Sequence, residues 1–288
     1  MDTYLDKTAS LAPAVKKIID DKATEYPHTG EYNSLSAAGS YLCRRCGLAL
    51  FRATSQFSSS CGWPSFDEAI RSNVKQLPDK DGQRTEILCA RCDAHLGHVF
   101  SGEFFTAKNL RHCVNSASLD FVADATVCDT EEAIVAGGCF WGIDHFLHQL
   151  AGVLKVEVGY SGGHLLNPQY EQVSRGDSGH YEVARVLYDV AKIDYSAVLK
   201  RFFEIHDPTQ SLRQGPDIGQ QYQSAVFYYN KQQQDDALAL IQILRRKGYD
   251  VTTRLLEVQT FWPAENYHQN YYAKHQKAPY CHHPVNRF

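Results

Sequence analysis

The chain has 288 residues, of which 43% are hydrophobic and 22% charged, values of a globular protein long enough for two domains. The formal net charge is −4, with 14 Lys/Arg against 15 Asp/Glu over residues 1–128 and 15 against 18 in the rest. No block of like charge offers itself to nucleic acid or a membrane surface, and neither a signal peptide nor a membrane span is visible, so the cytoplasm is the expected compartment.

Leu11, Val15, Ile18 and Ile19 recur at helical spacing and predict a short amphipathic helix over 8–22. From about 30 to 125 the texture changes to short β-type runs at 48–51, 84–88, 98–100, 104–105 and 119–122, broken by Gly, Ser, Pro and Asn. This predicts a small, mostly antiparallel β domain over 1–125. A polar link follows near 123–130. From 131 to 288 strands and helices alternate, an α/β arrangement. Ala133, Ile134 and Val135 form a strand, and Phe140, Ile143, Leu147 and Leu150 mark the helix face after it. Strand-like 153–159 precedes a helix opened by Asn167 and Pro168. Strand-like 180–188 precedes a helix bearing Tyr195, Val198, Leu199 and Phe202. Strand-like 222–229 precedes a helix over 231–247 that stops at Gly248.

The nine cysteines are an odd number in a long chain, which argues for metal binding and thiol chemistry rather than a secreted disulfide framework. Cys43-x2-Cys46 and Cys89-x2-Cys92 are two knuckles whose four thiolates match tetrahedral zinc. Two redox C-x-x-C pairs would share the pattern, but both together in one domain favour a structural clamp. Cys113 has Arg111 two residues before it, on the same face of a strand, where the guanidinium would stabilise a thiolate. His95 and His98 supply groups that exchange protons near neutral pH, Trp63 an apolar surface and Cys61 a second thiol.

These residues lie in Cys61-Gly62-Trp63-Pro64-Ser65-Phe66, Ala94-His95-Leu96-Gly97-His98-Val99-Phe100 and Arg111-His112-Cys113-Val114-Asn115-Ser116. With the two knuckles, these motifs make residues 8–123 resemble a B-type peptide methionine sulfoxide reductase. The resemblance implies Cys113 as nucleophile, Cys61 as resolving cysteine and Trp63 as the wall for the substrate methyl. It places His98, Arg111 and Asn115 around the reacting atoms, with His95 beside them. One departure stands out. Where the family has a histidine, in a His-Gly-Met-x-Arg pattern, this chain reads Asp81-Gly82-Gln83-Arg84, so the B-type activity is expected to be the weaker one.

In the second half, Cys139 stands at a strand-to-helix turn in Gly137-Gly138-Cys139-Phe140-Trp141-Gly142. The paired glycines allow a sharp bend, and the helix N-terminus favours thiolate. Glu182, on an apolar strand, is expected to have a raised pKa and to donate a proton. Tyr160 and Tyr222 supply phenols, and Asp217 a carboxylate. The motifs Gly-Cys-Phe-Trp-Gly, Gly159-Tyr160-Ser161-Gly162-Gly163, His206-Asp207-Pro208-Thr209 and Asp217-Ile218-Gly219-Gln220-Gln221-Tyr222 resemble an A-type methionine sulfoxide reductase over nearly all of 131–288. That resemblance implies Cys139 as nucleophile, Glu182 as acid, and Phe140 with Trp141 as the methyl pocket. Tyr160, Asp217 and Tyr222 would hold the sulfoxide oxygen or the substrate backbone, with Cys281 as resolving cysteine. The family's Arg after the Tyr is Gln223 here, read as peripheral. Cys128 is left without a role.

Together the motifs imply a fused B-type and A-type reductase of methionine sulfoxide, in proteins or free. The expected fold is a zinc-containing antiparallel β domain followed by the α+β roll of the A-type enzymes. By resemblance the Cys139 site takes the S epimer and the Cys113 site the R epimer, through a sulfenic acid and an intramolecular disulfide that thioredoxin recycles. Structural zinc is implied and no organic cofactor. The rival is a zinc-containing thiol redox sensor, which would need a reactive thiol but not Glu182, Trp63 or Trp141. Methionine itself occurs once, at Met1, so the chain's own core offers no thioether to oxidise.

Overall fold

The computed structural model describes residues 6–34, 37–70 and 72–288. They divide into two compact units, Asp6–Thr130 and Glu131–Phe288.

In the first unit a 3-10 turn over Lys7–Ser10 precedes α1 (Pro13–Asp21), which is shorter than the periodicity predicts because Pro13 starts it and Lys22, at φ 58°, ends it. The strands that follow are β1 (Gly39–Cys43), β2 (Ala49–Arg52), β3 (Gln56–Phe57), β4 (Ser65–Phe66), β5 (Val74–Pro78), β6 (Thr85–Cys89), β7 (His95–Ser101), β8 (Leu110–Val114) and β9 (Leu119–Ala123). They form an antiparallel sheet in the order β2-β1-β9 and a second in the order β3-β4-β8-β7-β6-β5. Phe51 and Phe66 stack with centroids 4.4 Å apart, and Tyr41 meets Phe66 edge-on at 4.9 Å, so aromatic contacts tie the two sheets into one core. The run at 104–105 is not a strand. Phe104 takes φ 55° in an exposed loop, and the apolar pair there covers no core.

Register, not proximity in sequence, builds the first site. Cys113 on β8 pairs with Ser65 on β4 on one side and His98 on β7 on the other, so all three share one face of the sheet. Gly97, at φ 150°, makes this possible: a Cβ there would stand 2.0 Å from the Cys113 carbonyl oxygen.

The second unit contains β10 (Thr130–Ala136), α2 (Phe140–His148), β11 (Val153–Ser161), α3 (Tyr170–Ser174), β12 (Tyr181–Asp189), α4 (Tyr195–Ile205), β13 (Arg213–Gln214), β14 (Asp217–Ile218), β15 (Ala225–Tyr228), α5 (Lys231–Arg246), β16 (Arg254–Glu257), β17 (Trp262–Pro263) and α6 (Tyr271–His275). Its main sheet runs β16-β15-β10-β12-β11-β17, with β15 and β16 parallel and β11 and β12 antiparallel. The apolar faces of α2, α4 and α5 pack on it through Ile143, Leu147, Leu199, Phe202, Leu240 and Leu244. The helix expected to open at Asn167 and Pro168 begins instead at Tyr170. Asn167 is left-handed at φ 49°, and Gln169 caps the helix reciprocally with Gln172.

Candidate active sites and metal centre

Around Cys139 the chain leaves β10, turns at Gly138 (φ 97°) and enters α2, with Cys139 itself as the N-cap. The neighbouring strand β12 places Glu182 beneath that turn, where its Oε2 accepts the Phe140 N–H at 3.0 Å. Glu182 is 2% exposed, and burial pushes its carboxyl up to about 8, so it holds its proton at neutral pH. Tyr160 lies directly opposite Glu182 across the β11–β12 ladder. Its hydroxyl donates to Glu265 Oε2 at 2.9 Å. Tyr222 and Tyr170 are pushed up by burial first, and then by Glu182 once it ionises. Phe140 is buried against Val158, Tyr160, Val173 and Ala264. Trp141 stacks flat on Tyr271 at 3.7 Å and donates from Nε1 to His268 Nδ1 at 2.9 Å.

Cys139 and Cys281 are near enough for each thiol to shift the other's titration. The helix N-terminus does not win at Cys139: the Cys281 thiol, burial and the Glu182 charge hold its thiol well above the usual range. Cys281 carries the lower value, about 6, because Cys139 and His282 both lower it. Asp217 receives the Tyr280 hydroxyl at 3.3 Å. Gln223 is built into the fold. It is 3% exposed, and its amide nitrogen donates to the Ser224 and Thr252 carbonyls at 3.3 Å. The sequence reading gives no role to Tyr170, Glu265, His268 or His282. The stretch Ala264-Glu265-Asn266-Tyr267-His268 is the one local signal that would have drawn attention to two of them.

In the first unit, Cys61 and Cys113 stand with sulfurs 3.8 Å apart. Burial raises Cys61, but hydrogen bonds from Ser59 at 3.0 Å and Ser65 at 3.5 Å outweigh it and leave the thiol low. Burial dominates at Cys113 and pushes it up to about 12, against the lowering effect of Arg111. The guanidinium is also committed elsewhere, doubly bonded to Glu103 at 2.6 and 2.8 Å and stacked 4.5 Å over Phe100. Beside Cys113 is a cavity of about 110 Å³ lined in part by Trp63, Arg84, His98, Phe100 and Asn115. Asn115 braces its wall, accepting from Glu25 N–H at 2.9 Å and donating to Leu96 O at 3.1 Å, while Trp63 Nε1 donates to Glu25 O at 3.0 Å.

The two histidines are built differently. His95 does not line the cavity; its Nδ1 is 2.7 Å from Glu86, which Lys22 meets from the other side at 2.7 Å. His98 reaches Asp79 at 2.7 Å through Nε2, and Arg84 also meets Asp79 at 3.0 Å. Asp79 is therefore the carboxylate at this site. Asp81, at the position of the family histidine, accepts from the backbone N–H groups of Gln83 and Arg84 and shapes the turn.

The four sulfurs of Cys43, Cys46, Cys89 and Cys92 lie within 4.8 Å of one another, with Cys43–Cys92 at 3.6 Å and Cys46–Cys89 at 3.5 Å. A tetrahedral zinc with Zn–S near 2.3 Å needs sulfurs about 3.8 Å apart, so the set fits the ion. Thiol hydrogen bonds from its neighbours hold Cys89 far below the usual range, and burial pushes Cys43 and Cys46 far above it. Arg45 donates to Cys92 O at 3.1 Å and Arg91 to Cys46 O at 3.4 Å, so each knuckle braces the other.

Paired thiols beside proton-donating groups and aromatic walls, twice in one chain, define a thiol oxidoreductase. Comparison with known proteins supplies the substrate class. Residues 131–288 match the peptide methionine sulfoxide reductase family and residues 11–123 the SelR domain family. The peptide methionine sulfoxide reductase MsrA of Nautilia profundicola is 46% identical over 150 residues, 52% of this chain and 87% of that protein. The Chromobacterium violaceum enzyme of the same name is 48% identical over 154 residues, 52% of this chain and 88% of its own length. Among solved structures, Mxr1 from Saccharomyces cerevisiae in reduced form superimposes with a TM-score of 0.51 at 30% identity, covering 54% of this chain and 92% of Mxr1. The chain belongs to the peptide methionine sulfoxide reductase family, as a fusion of a B-type domain with an A-type domain. Among the described residues, no helix is long and apolar enough to cross a membrane.

Proposed function

We propose that the two sites divide the epimers of methionine sulfoxide, the Cys139 site reducing the S form and the Cys113 site the R form, in oxidised proteins or the free amino acid. A sulfoxide sulfur is chiral, so fixing its methyl against an aromatic wall and its oxygen against a donor admits one hand. The wall and donor are Phe140 and Trp141 with Glu182 in one site, Trp63 with His98 in the other. In each, the nucleophilic thiol gives up its proton as its sulfur attacks the sulfoxide sulfur, the acid protonates the oxygen and is restored by that proton, and methionine departs to leave a cysteine sulfenic acid. Tyr222, Tyr170 and Asp217 orient the substrate at the Cys139 site; Arg111, Asn115 and, from behind, His95 support the other. The partner thiol, Cys281 or Cys61, then condenses with the sulfenic acid, releasing water and forming a disulfide that thioredoxin reduces. Structural zinc on the four-cysteine cluster holds the B-type fold, and the chain works in the cytoplasm.

The observation that carries this reading is the pairing itself: Cys61 and Cys113 with sulfurs 3.8 Å apart, and Cys139 and Cys281 near enough to shift each other's titration, each pair beside a proton donor. A sensor needs no buried acid at about 8 and no aromatic wall. Epimer-resolved turnover tests it. Cys139→Ser abolishes S reduction and spares R, Cys113→Ser does the reverse, and loss of both activities from either change would end the two-site reading.

A further inference from the structure

His282 follows Cys281 in the chain and is 1% exposed. Its Nε2 lies 2.8 Å from the Gly137 carbonyl oxygen, an acceptor only, so Nε2 carries the hydrogen. In the neutral ring Nδ1 is then a bare lone pair, and it lies 3.0 Å from Cys281 Sγ, whose S–H donates to it. The nucleophile's own helix is shaped around this ring. A Cβ at Gly142 would stand 2.2 Å from His282 Nδ1, so only glycine leaves room for the imidazole in the first turn of α2. Beyond Cys281 the tail is pinned to the end of α4: Val285 N–H donates to Glu204 O at 2.8 Å, and Arg287 donates to Phe203 O at 2.9 Å.

We propose that His282 is the general base of the disulfide-forming step at the Cys139 site, a role that rests on the reading of Cys281 as the resolving cysteine. The imidazole takes the Cys281 thiol proton through Nδ1. The Cys281 sulfur attacks the sulfur of the Cys139 sulfenic acid, the S–S bond forms and the S–O bond breaks. The proton passes from His282 to the departing hydroxide, giving water and restoring the neutral ring. Cys281 sulfur is oxidised, and the sulfenic sulfur of Cys139 is reduced to the disulfide level.

Other titratable groups face this pair, and none replaces the imidazole. His206 is held down at about 3 by burial and is committed to Phe202 O and Ser224. Glu182, Tyr272 and Tyr280 all feel the Cys281 or Cys139 charge, but each is an acid and not a base poised against the thiol, and Asp217 is engaged by the Tyr280 hydroxyl at 3.3 Å. In the reduced site Cys139 and then His282 hold the Cys281 thiol low, against burial; once Cys139 is a sulfenic acid, the 3.0 Å contact with His282 is the one that remains to draw the proton off.

The test is a single turnover of full-length protein in a Cys113→Ser background, with methionine formation and free-thiol loss followed in the same sample. His282→Gln keeps an amide N–H for the Gly137 carbonyl but has no base. It is expected to slow thiol loss about 10²-fold relative to methionine formation. It should also move the rise of that rate with pH from below the ordinary thiol range up into it. An unchanged rate and pH profile would overturn the proposal, as would an equal loss of methionine formation, which marks collapse of the site. Cys281→Ser in the same background separates the two readings: if a disulfide on Cys139 still forms there, it is the resolving role of Cys281 that fails.

Discussion

Glu182 shows what burial does to one carboxyl. With its native value near 8 and an ordinary value of 4.5, the folded chain keeps a proton that the unfolded chain releases between those pH values. Stability of the C-terminal unit therefore declines as pH rises from about 4.5 to about 8, by an amount on the order of a few kcal/mol. Glu182→Gln should unfold later than wild type at pH 8 and no later at pH 4.5, as read by calorimetry across that range. The same residue should set the alkaline limb of the Cys139 reaction, since the acid is lost above about 8. The Gln variant should turn over the S epimer ~10²–10⁴-fold more slowly, with that limb gone. At the other site two aspartates two residues apart have different work. Asp79→Asn is expected to slow R-epimer turnover because it removes the charge facing His98. Asp81→Asn should leave that rate near wild type, because Asp81 serves the turn. Equal effects of the two changes in a steady-state assay would mean that Asp79 acts through the hairpin and not on His98.

Elements position these residues, and the sequence announced the elements better than their meetings. The apolar face of Tyr195, Val198, Leu199 and Phe202 marked α4, and the helix expected over 231–247 before Gly248 is α5, Lys231–Arg246. The candidate nucleophiles, the candidate acid and the four-cysteine cluster were legible because each sits in a compact motif. Tyr170, Asp79 and His268 were not. Each enters its site from a separate segment, through a register such as Tyr160 opposite Glu182 that no local pattern encodes. The Cys139 thiol is held high for a tertiary reason that no local pattern carries, the approach of Cys281 from the end of the chain. At this scale the knuckles yield a measurement: the purified reduced protein should carry about one zinc per chain. Cys89→Ser or chelation should lower the N-terminal unfolding transition before the C-terminal one, because metal binding there is folding energy. Metal analysis without zinc, or coincident transitions after chelation, would contradict the clamp.

Two compact units, each with its own core, each hold one pair of thiols brought together from distant points of the chain. Cys61 and Cys113 are 52 residues apart, and Cys281 returns from the C-terminus to the start of α2. If each pair closes on turnover, the spent protein carries two cross-links across long loops, and restricting its unfolded chain stabilises it by roughly 4–5 kcal/mol per link in the loop-entropy account. Oxidised protein should accordingly melt later than reduced protein in both transitions, and Cys281→Ser should remove the gain from the C-terminal transition alone. The tail pinned by Val285 and Arg287 gives this a further reading. In the reduced state non-covalent contacts alone hold it; after turnover it is tied covalently to the core, so resistance of residues 282–288 to a carboxypeptidase becomes a clock of how recently the site has been recharged with electrons.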